Sequence, residues 1–170
     1  NSLALLPKPH AEGSAGQAAD LAVYTATRAL RGSARWDQAT QDANLKFPKA
    51  ASTFSCAMDM PISQEQTPHL YMLLRRTLLD AGLSTYAAKD SYNRKRPFVV
   101  RGEASCTPVE EPTLAKDGSY PSGHAALGWA WALVLSEVAP ERTNAVLARG
   151  YGFGQSRVIC GCARSRAWWR

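Results

Sequence analysis

The chain lacks the features that would place it among membrane-spanning or β-sheet proteins. Among its 170 residues no apolar run reaches the roughly 18 residues that cross a bilayer, and the longest, Ala125–Leu135, indicates a buried helix. Strand-like alternation of apolar and polar residues is absent, and so are internal repeats. With 45% hydrophobic residues, a chain of this length builds a single core. We therefore expect an all-α protein with one domain.

Cysteine and histidine are scarce, with four and three residues respectively. Only one residue separates Cys160 from Cys162, a poor spacing for zinc, and no histidine lies near enough in sequence to complete a tetrahedral set. We expect neither a metal ion nor another cofactor. The four cysteines allow three complete disulfide pairings, and free buried thiols remain the alternative.

The excess of positive charge is modest. The formal net charge is +6, and half of it comes from Arg164, Arg166 and Arg170 at the end of the chain. No basic stripe of the kind that nucleic-acid binding requires is present. We therefore expect no nucleic-acid partner, and the lack of a bilayer-spanning apolar run predicts no membrane partner.

Apolar spacing and capping residues predict a succession of helices. The predicted spans are 17–31, 36–45, 67–82, a helix that opens at Ser84 or Thr85 and ends before Pro97, 122–138, and a last helix from Pro140 to Gly154 or Arg157. The start of the chain, Leu5–Pro9, is expected to be extended because of its prolines. Residues 101–118 are expected to form a loop beside the functional site.

Three short basic or hydroxylic clusters carry the chemistry of the sequence. In chain order they are Lys89 with Arg96-Pro97, then Pro121-Ser122-Gly123-His124, then Ser156-Arg157. Guanidinium forks and amide N–H groups match the oxygens of a tetrahedral phosphate in geometry and charge. Lys89 and Arg96 lie seven positions apart, which is two helical turns if one helix carries both, so both can face one side. Together the clusters predict an oxyanion site.

The middle cluster suits the start of a helix. Ser122 can cap the helix and bond a phosphate oxygen, and Gly123 lets its backbone amide come close to the anion. Free N–H groups and the helix dipole at that end favour negative charge. His124 can donate a proton to the departing oxygen; without the neighbouring motifs it would be interpreted as a buried core histidine.

These motifs resemble those of the class A non-specific acid phosphatases of bacteria, in the superfamily that includes type 2 phosphatidic acid phosphatases and vanadium haloperoxidases. The resemblance covers residues 1–162 and is most specific over Gly118–His124, although Ala125 stands where a threonine is usual. It implies a helical bundle, a periplasmic or secreted location, and small phosphomonoester substrates of low specificity. The resemblance also implies inorganic phosphate and vanadate as ligands, and it leaves open whether the chain forms a homo-oligomer.

The resemblance also implies roles for individual residues. His124 is expected to be the general acid, and the residues expected to bind phosphate are Lys89, Arg96, Ser122, Gly123 and Arg157. A disulfide between Cys106 and Cys160 is implied by the cysteines that the family carries at both places.

The chain departs from this family at the third motif, a Ser-Arg pair followed by a histidine and then an aspartate. Counting from Arg157 places these two residues at 163 and 167, and both are alanine, Ala163 and Ala167. In the resembling enzymes that histidine attacks phosphorus to form a phosphohistidine, and the aspartate orients its ring. We therefore expect a C-terminally truncated phosphatase domain over 1–162 and an aberrant tail over 163–170.

This departure predicts a preserved anion pocket with severely impaired turnover. Two other functions stay open: a phosphate-binding remnant without catalysis, and a vanadate-dependent haloperoxidase, which would need the same missing histidine. The chain begins at Asn1 without a basic segment followed by an apolar one, as we expect for a processed mature protein.

The remaining candidate residues lie outside every motif. His10 and His69 are interpreted as surface histidines, and Asp90 and Asp117 as isolated carboxylates that serve loops or helix caps.

Overall fold

The computed structural model describes residues 2–165. Its α-helices are α1 (Ser2–Leu5), α2 (Ala15–Arg28), α3 (Ala34–Asp42), α4 (Ser55–Met58), α5 (Pro68–Ser84), α6 (Tyr86–Tyr92), α7 (Pro97–Arg101), α8 (Glu111–Leu114), α9 (Gly123–Val138) and α10 (Thr143–Ile159). Short 3₁₀ helices lie at Ala51–Phe54, Pro108–Glu110 and Pro140–Arg142. Residues 2–165 contain no β-strand, so the all-α prediction is confirmed. Within the same range, no helix has the length and apolarity needed to cross a membrane.

Helices α9 and α10 form the central pair, and two glycines set how closely they approach. A Cβ atom on Gly150 would overlap the side chain of Ala132 and lie 2.8 Å from the carbonyl oxygen of Gly128. A Cβ on Gly128 would in turn meet the ring of Phe153 at 2.5 Å. Because later residues of α10 face earlier residues of α9, the two helices run antiparallel.

Trp131 on α9 fills the centre of the main core and is fully buried. Its ring meets the rings of Phe54 and Phe153 at centroid distances of 6.0 Å, both in edge-to-face geometry. The indole Nε1 donates a hydrogen bond of 2.9 Å to the carbonyl of Leu74 on α5, which satisfies the only polar atom of the buried ring. This bond and the surrounding packing join α5 to α9.

A second, smaller core lies around a disulfide between Cys106 and Cys160. This is the pairing that the family resemblance implied, and it is confirmed. The bond joins the segment after α7 to the C-terminal end of α10, and Ala39, Phe98 and Ile159 pack against it. The disulfide therefore fixes the C-terminal end of α10, which carries the third sequence motif, to the segment after α7.

The predicted helices are present, with ends that differ by a few residues. The helix predicted from Pro140 begins instead at Thr143, because Pro140 opens a 3₁₀ turn that precedes it. Helix α1 at the start of the chain, α4, α7, and α8 inside the predicted 101–118 loop were not predicted. All four are only four or five residues long, too short for apolar periodicity to appear in the sequence.

The segment between Lys89 and Arg96 differs from the two-turn arrangement that the sequence suggested. Helix α6 ends at Tyr92, and Asn93 adopts a left-handed conformation with φ of 35°. Arg96 is then the N-cap of α7, and Pro97 occupies its first position. The two cations therefore lie on different helices, and a turn brings them together.

Candidate anion-binding pocket

The three sequence clusters meet at one pocket with a volume of about 280 Å³. It is lined by all six residues that the sequence proposed for the site: Lys89, Arg96, Ser122, Gly123, His124 and Arg157. A second set of lining residues is mostly apolar: Leu45, Leu78, Leu79, Leu83, Leu127 and Tyr86. The pocket thus places a group of cations beside an apolar surface.

The N-terminus of α9 forms one side of the pocket. Ser122 is the N-cap, and its hydroxyl accepts a hydrogen bond of 3.3 Å from the backbone N–H of Ala125, so the predicted cap is confirmed. A Cβ on Gly123 would lie 3.6 Å from Oγ1 of Thr85 and 3.9 Å from Nζ of Lys89. The backbone of the helix start therefore faces the lysine, with the positive end of the helix dipole toward the cavity.

Arg157 reaches the pocket from the last turns of α10 and is only 2% exposed. Its Nη1 atom is buried and has no hydrogen-bond partner among residues 2–165. Leaving the N–H groups of a buried guanidinium unpaired costs free energy, whereas an anionic acceptor would satisfy them with charge-assisted bonds. Arg157 therefore carries a donor nitrogen that residues 2–165 leave unpaired.

Arg96 is also buried, and each of its three side-chain nitrogens donates a hydrogen bond to the protein. Its Nε donates to the carbonyl of Leu114 at 2.8 Å, and its Nη1 donates to the carbonyl of Cys162 at 2.9 Å. Its Nη2 donates to Oδ2 of Asp117 at 2.8 Å. The orientation of this guanidinium is thus set largely by backbone carbonyls.

The structure corrects the interpretation of Asp117 as an isolated carboxylate. Its Oδ2 atom bonds Arg96 and also lies 3.4 Å from Nζ of Lys89, so it bridges two cations of the pocket. Asp90, by contrast, is exposed on α6. The sequence offered no local signal for this contact, because 28 positions separate Lys89 from Asp117.

Burial disfavours the charged forms of the basic side chains in the pocket. It lowers the pKa of Lys89, an effect that Asp117 opposes and Arg96 reinforces. Burial also lowers the pKa of Arg96, where the neighbouring Cys162 and Asp117 act in the opposite direction. A bound anion would act on these pKa values in the same direction as Asp117, because an opposite charge within a few ångströms favours the charged form.

His124 lies in the first turn of α9, partly buried, with its ring stacked on Phe153 at a centroid distance of 6.4 Å. Its Nε2 is 3.0 Å from the carbonyl oxygen of Ala43. A carbonyl can only accept a hydrogen bond, so Nε2 carries a proton and Nδ1 is the nitrogen that gains one when the ring becomes cationic. Burial, reinforced by the nearby charge of Arg157, lowers the pKa of His124 well below 6.5.

The other two histidines lie within residues 2–165, and neither lines the pocket. His69 is exposed on the first turn of α5, as predicted. His10 is half-buried, with its ring packed closely against Gly16.

The position expected for the nucleophile also lies outside the pocket lining. Ala163 is 2% exposed and packs beside Tyr120, and its N–H donates a hydrogen bond of 3.0 Å to the carbonyl of Arg157. Of the tail expected over 163–170, residues 166–170, which include position 167, lie outside the described residues.

The family relationship that the sequence motifs indicated can be checked by comparing the chain with known protein families. The PAP2 superfamily matches residues 69–162, which are more than half of the chain and include all six of the predicted site residues. The chain belongs to the PAP2 superfamily. The resemblance stated from the sequence is thereby confirmed at the level of the family.

Three bacterial proteins are similar to this PAP2 chain over most of its length. It is 48% identical over 162 residues to a non-specific acid phosphatase of Providencia stuartii, and 43% identical over 162 residues to a non-specific acid phosphatase of Salmonella typhimurium. It is 42% identical over 159 residues to an acid phosphatase of Zymomonas mobilis. These alignments cover 94 to 95% of the chain, which spans 60 to 65% of the length of the relatives.

Proposed function

We propose that the pocket binds the phosphate group of small phosphomonoesters of low specificity, and that the chain belongs to an acid phosphatase. The observation that carries this proposal is the buried Nη1 of Arg157, which has no partner among residues 2–165. Arg157 lines a cavity together with Lys89 and the start of α9, where further donors are concentrated. A tetrahedral oxyanion is the ligand that such a set of donors suits.

His124 is the residue of the pocket that can protonate a leaving group. Its lowered pKa keeps the ring neutral near neutral pH. A phosphate dianion beside it would raise that pKa, because a neighbouring negative charge favours the imidazolium. The proton gained on Nδ1 could then pass to the departing alkoxide oxygen as the P–O bond breaks, which is the role of a general acid.

The alanine at position 163 supports slow hydrolysis of phosphomonoesters by this chain. The family mechanism needs a histidine at that position to attack phosphorus, and neither His10 nor His69 lines the pocket. Binding depends on the cations and the helix start, whereas covalent catalysis depends on the nucleophile. The same alanine supports the second candidate function, a phosphate-binding domain without catalysis.

The proposed location is the periplasm or the outside of the cell. It is supported by the Cys106–Cys160 disulfide, because such bonds persist mainly in oxidising compartments.

Two measurements on the 170-residue chain test the proposed function. Calorimetry with inorganic phosphate at mildly acidic pH should show binding. Hydrolysis of p-nitrophenyl phosphate should be at least about a thousandfold slower than for the Providencia relative assayed in parallel, since losing a covalent nucleophile has effects of that order or larger. Absence of phosphate binding would overturn the proposal, and turnover matching the relative would overturn the inference from Ala163.

A further inference from the structure

Asp117 is an anion of the protein located where the cations of the pocket meet. A single oxygen, Oδ2, contacts both Nη2 of Arg96 at 2.8 Å and Nζ of Lys89 at 3.4 Å. The charged groups around it are these two cations and Arg157, which acts electrostatically on both, while His124 is neutral near neutral pH. The carboxylate thus holds the kind of position that an oxygen of a bound oxyanion would occupy.

The side chain of Asp117 can leave this position while its backbone stays in place. Its backbone N–H donates to the carbonyl of Leu114 at 3.3 Å, and its carbonyl accepts from Nε of Arg96 at 3.2 Å. The following Gly118 is pressed against α6, where a Cβ would lie 2.9 Å from the carbonyl oxygen of Lys89. The side chain is 36% exposed, so rotation about its bonds can return the carboxylate to water.

Arg96 does not depend on this carboxylate for its orientation. Three backbone carbonyls, those of Leu114, Asp117 and Cys162, accept hydrogen bonds from its Nε and Nη1. A carboxylate that only positioned the guanidinium would add little to this arrangement. Its charge has the larger consequence, because it neutralises cations that a phosphate would otherwise contact.

We propose that the carboxylate of Asp117 is an internal competitor for phosphate, which an arriving oxyanion displaces from Lys89 and Arg96. This inference rests on the proposed function, since it concerns the affinity of the same pocket. Displacement breaks two partly exposed ion pairs, and the carboxylate also repels the ligand. Asp117 therefore limits the affinity of the site and disfavours ligands of higher negative charge.

The decisive variant is Asp117→Asn, which keeps the size of the side chain and removes its charge. Calorimetry should show inorganic phosphate bound about three- to thirty-fold more tightly than by the unmodified chain, as expected when two weak ion pairs no longer compete. The matched control is Asp90→Asn, which removes a carboxylate exposed on α6, and its affinity should equal that of the unmodified chain. Circular dichroism and thermal unfolding check that each variant is folded.

The outcomes separate this inference from the proposed function. Weaker or unchanged binding by a folded Asp117→Asn variant would overturn the inference and leave the phosphate site standing. Absence of binding by both proteins would overturn both proposals. Asp117→Ala, which also removes the hydrogen-bonding atoms, should show the same direction of change.

Discussion

The carboxylate of Asp42 accepts a hydrogen bond of 2.6 Å from the hydroxyl of Ser156, the residue immediately before the buried Arg157. The same carboxylate forms an ion pair with Arg149, one of whose nitrogens lies 3.1 Å away. Ser156 and Arg149 both belong to α10, whereas Asp42 is the last residue of α3. The contact therefore fixes the rotation of α10 about its axis, and with it the direction in which Arg157 extends.

Asp42→Asn should lower the free energy of unfolding by about 3 kcal/mol, because it leaves the charge of a largely buried partner uncompensated. Asp59→Asn is the matched control, since Asp59 pairs with Arg142 at 3.7 Å and is 79% exposed. That substitution should cost less than about 1 kcal/mol. Urea denaturation measures both, and equal effects would contradict a structural role for the buried pair.

Arg157→Lys should weaken phosphate binding by about tenfold, because lysine keeps the charge but loses the two-nitrogen fork that matches an oxyanion. Arg76→Lys, on the exposed face of α5, should leave the affinity unchanged. Calorimetry with inorganic phosphate makes the comparison. Unaltered affinity in the Arg157 variant would mean that its unpaired nitrogen does not face the ligand.

Gly150→Ala should destabilise the protein by about 1–3 kcal/mol, because the added methyl group would overlap Ala132 across the interface of α9 and α10. Gly152 lies on the same helix, and a methyl group added there would meet no atom of the described residues within 4 Å. Gly152→Ala should therefore stabilise the protein by up to about 1 kcal/mol through helix propensity. Thermal and chemical unfolding of both variants provide the test, and destabilisation of similar size in both would contradict the close helix contact.

Stability should depend on pH through His124. Its pKa in the folded protein is lowered, mainly by burial, whereas in the unfolded chain it returns to about 6.5. As the pH falls through that value, the unfolded chain takes up a proton and the folded protein does not. The contribution of His124 to the free energy of unfolding is therefore fully present above pH ~6.5. It decreases by up to about 1.4 kcal/mol for each pH unit below that value.

The His124→Gln variant isolates this effect. Between pH ~7.5 and ~5.5, about one unit on each side of the ordinary histidine pKa, the unmodified chain should lose more stability than the variant. Other titrating groups are common to both proteins and cancel in the difference. Parallel stability curves for the two proteins would show that the pKa of His124 is not lowered.

Much of the fold and of the pocket could be predicted from local features of the sequence. The cap at Ser122 depends on residues only three positions apart, and the long helices follow from apolar spacing within each segment. The short helix α7 was missed because its five residues carry no periodic pattern. Its position nevertheless matters, since Arg96 is its N-cap and reaches the pocket from there.

The sequence by itself determined which chemical groups the pocket contains, because the charges of Lys89 and Arg157 and the capping ability of Ser122 belong to the residues themselves. The tertiary structure decided how those groups are used. Arg96 donates to backbone carbonyls, whereas the Nη1 of Arg157 has no partner within residues 2–165, although both are buried arginines. Such differences depend on contacts between residues distant in the chain, and no local pattern encodes which donor finds a partner when the helices pack.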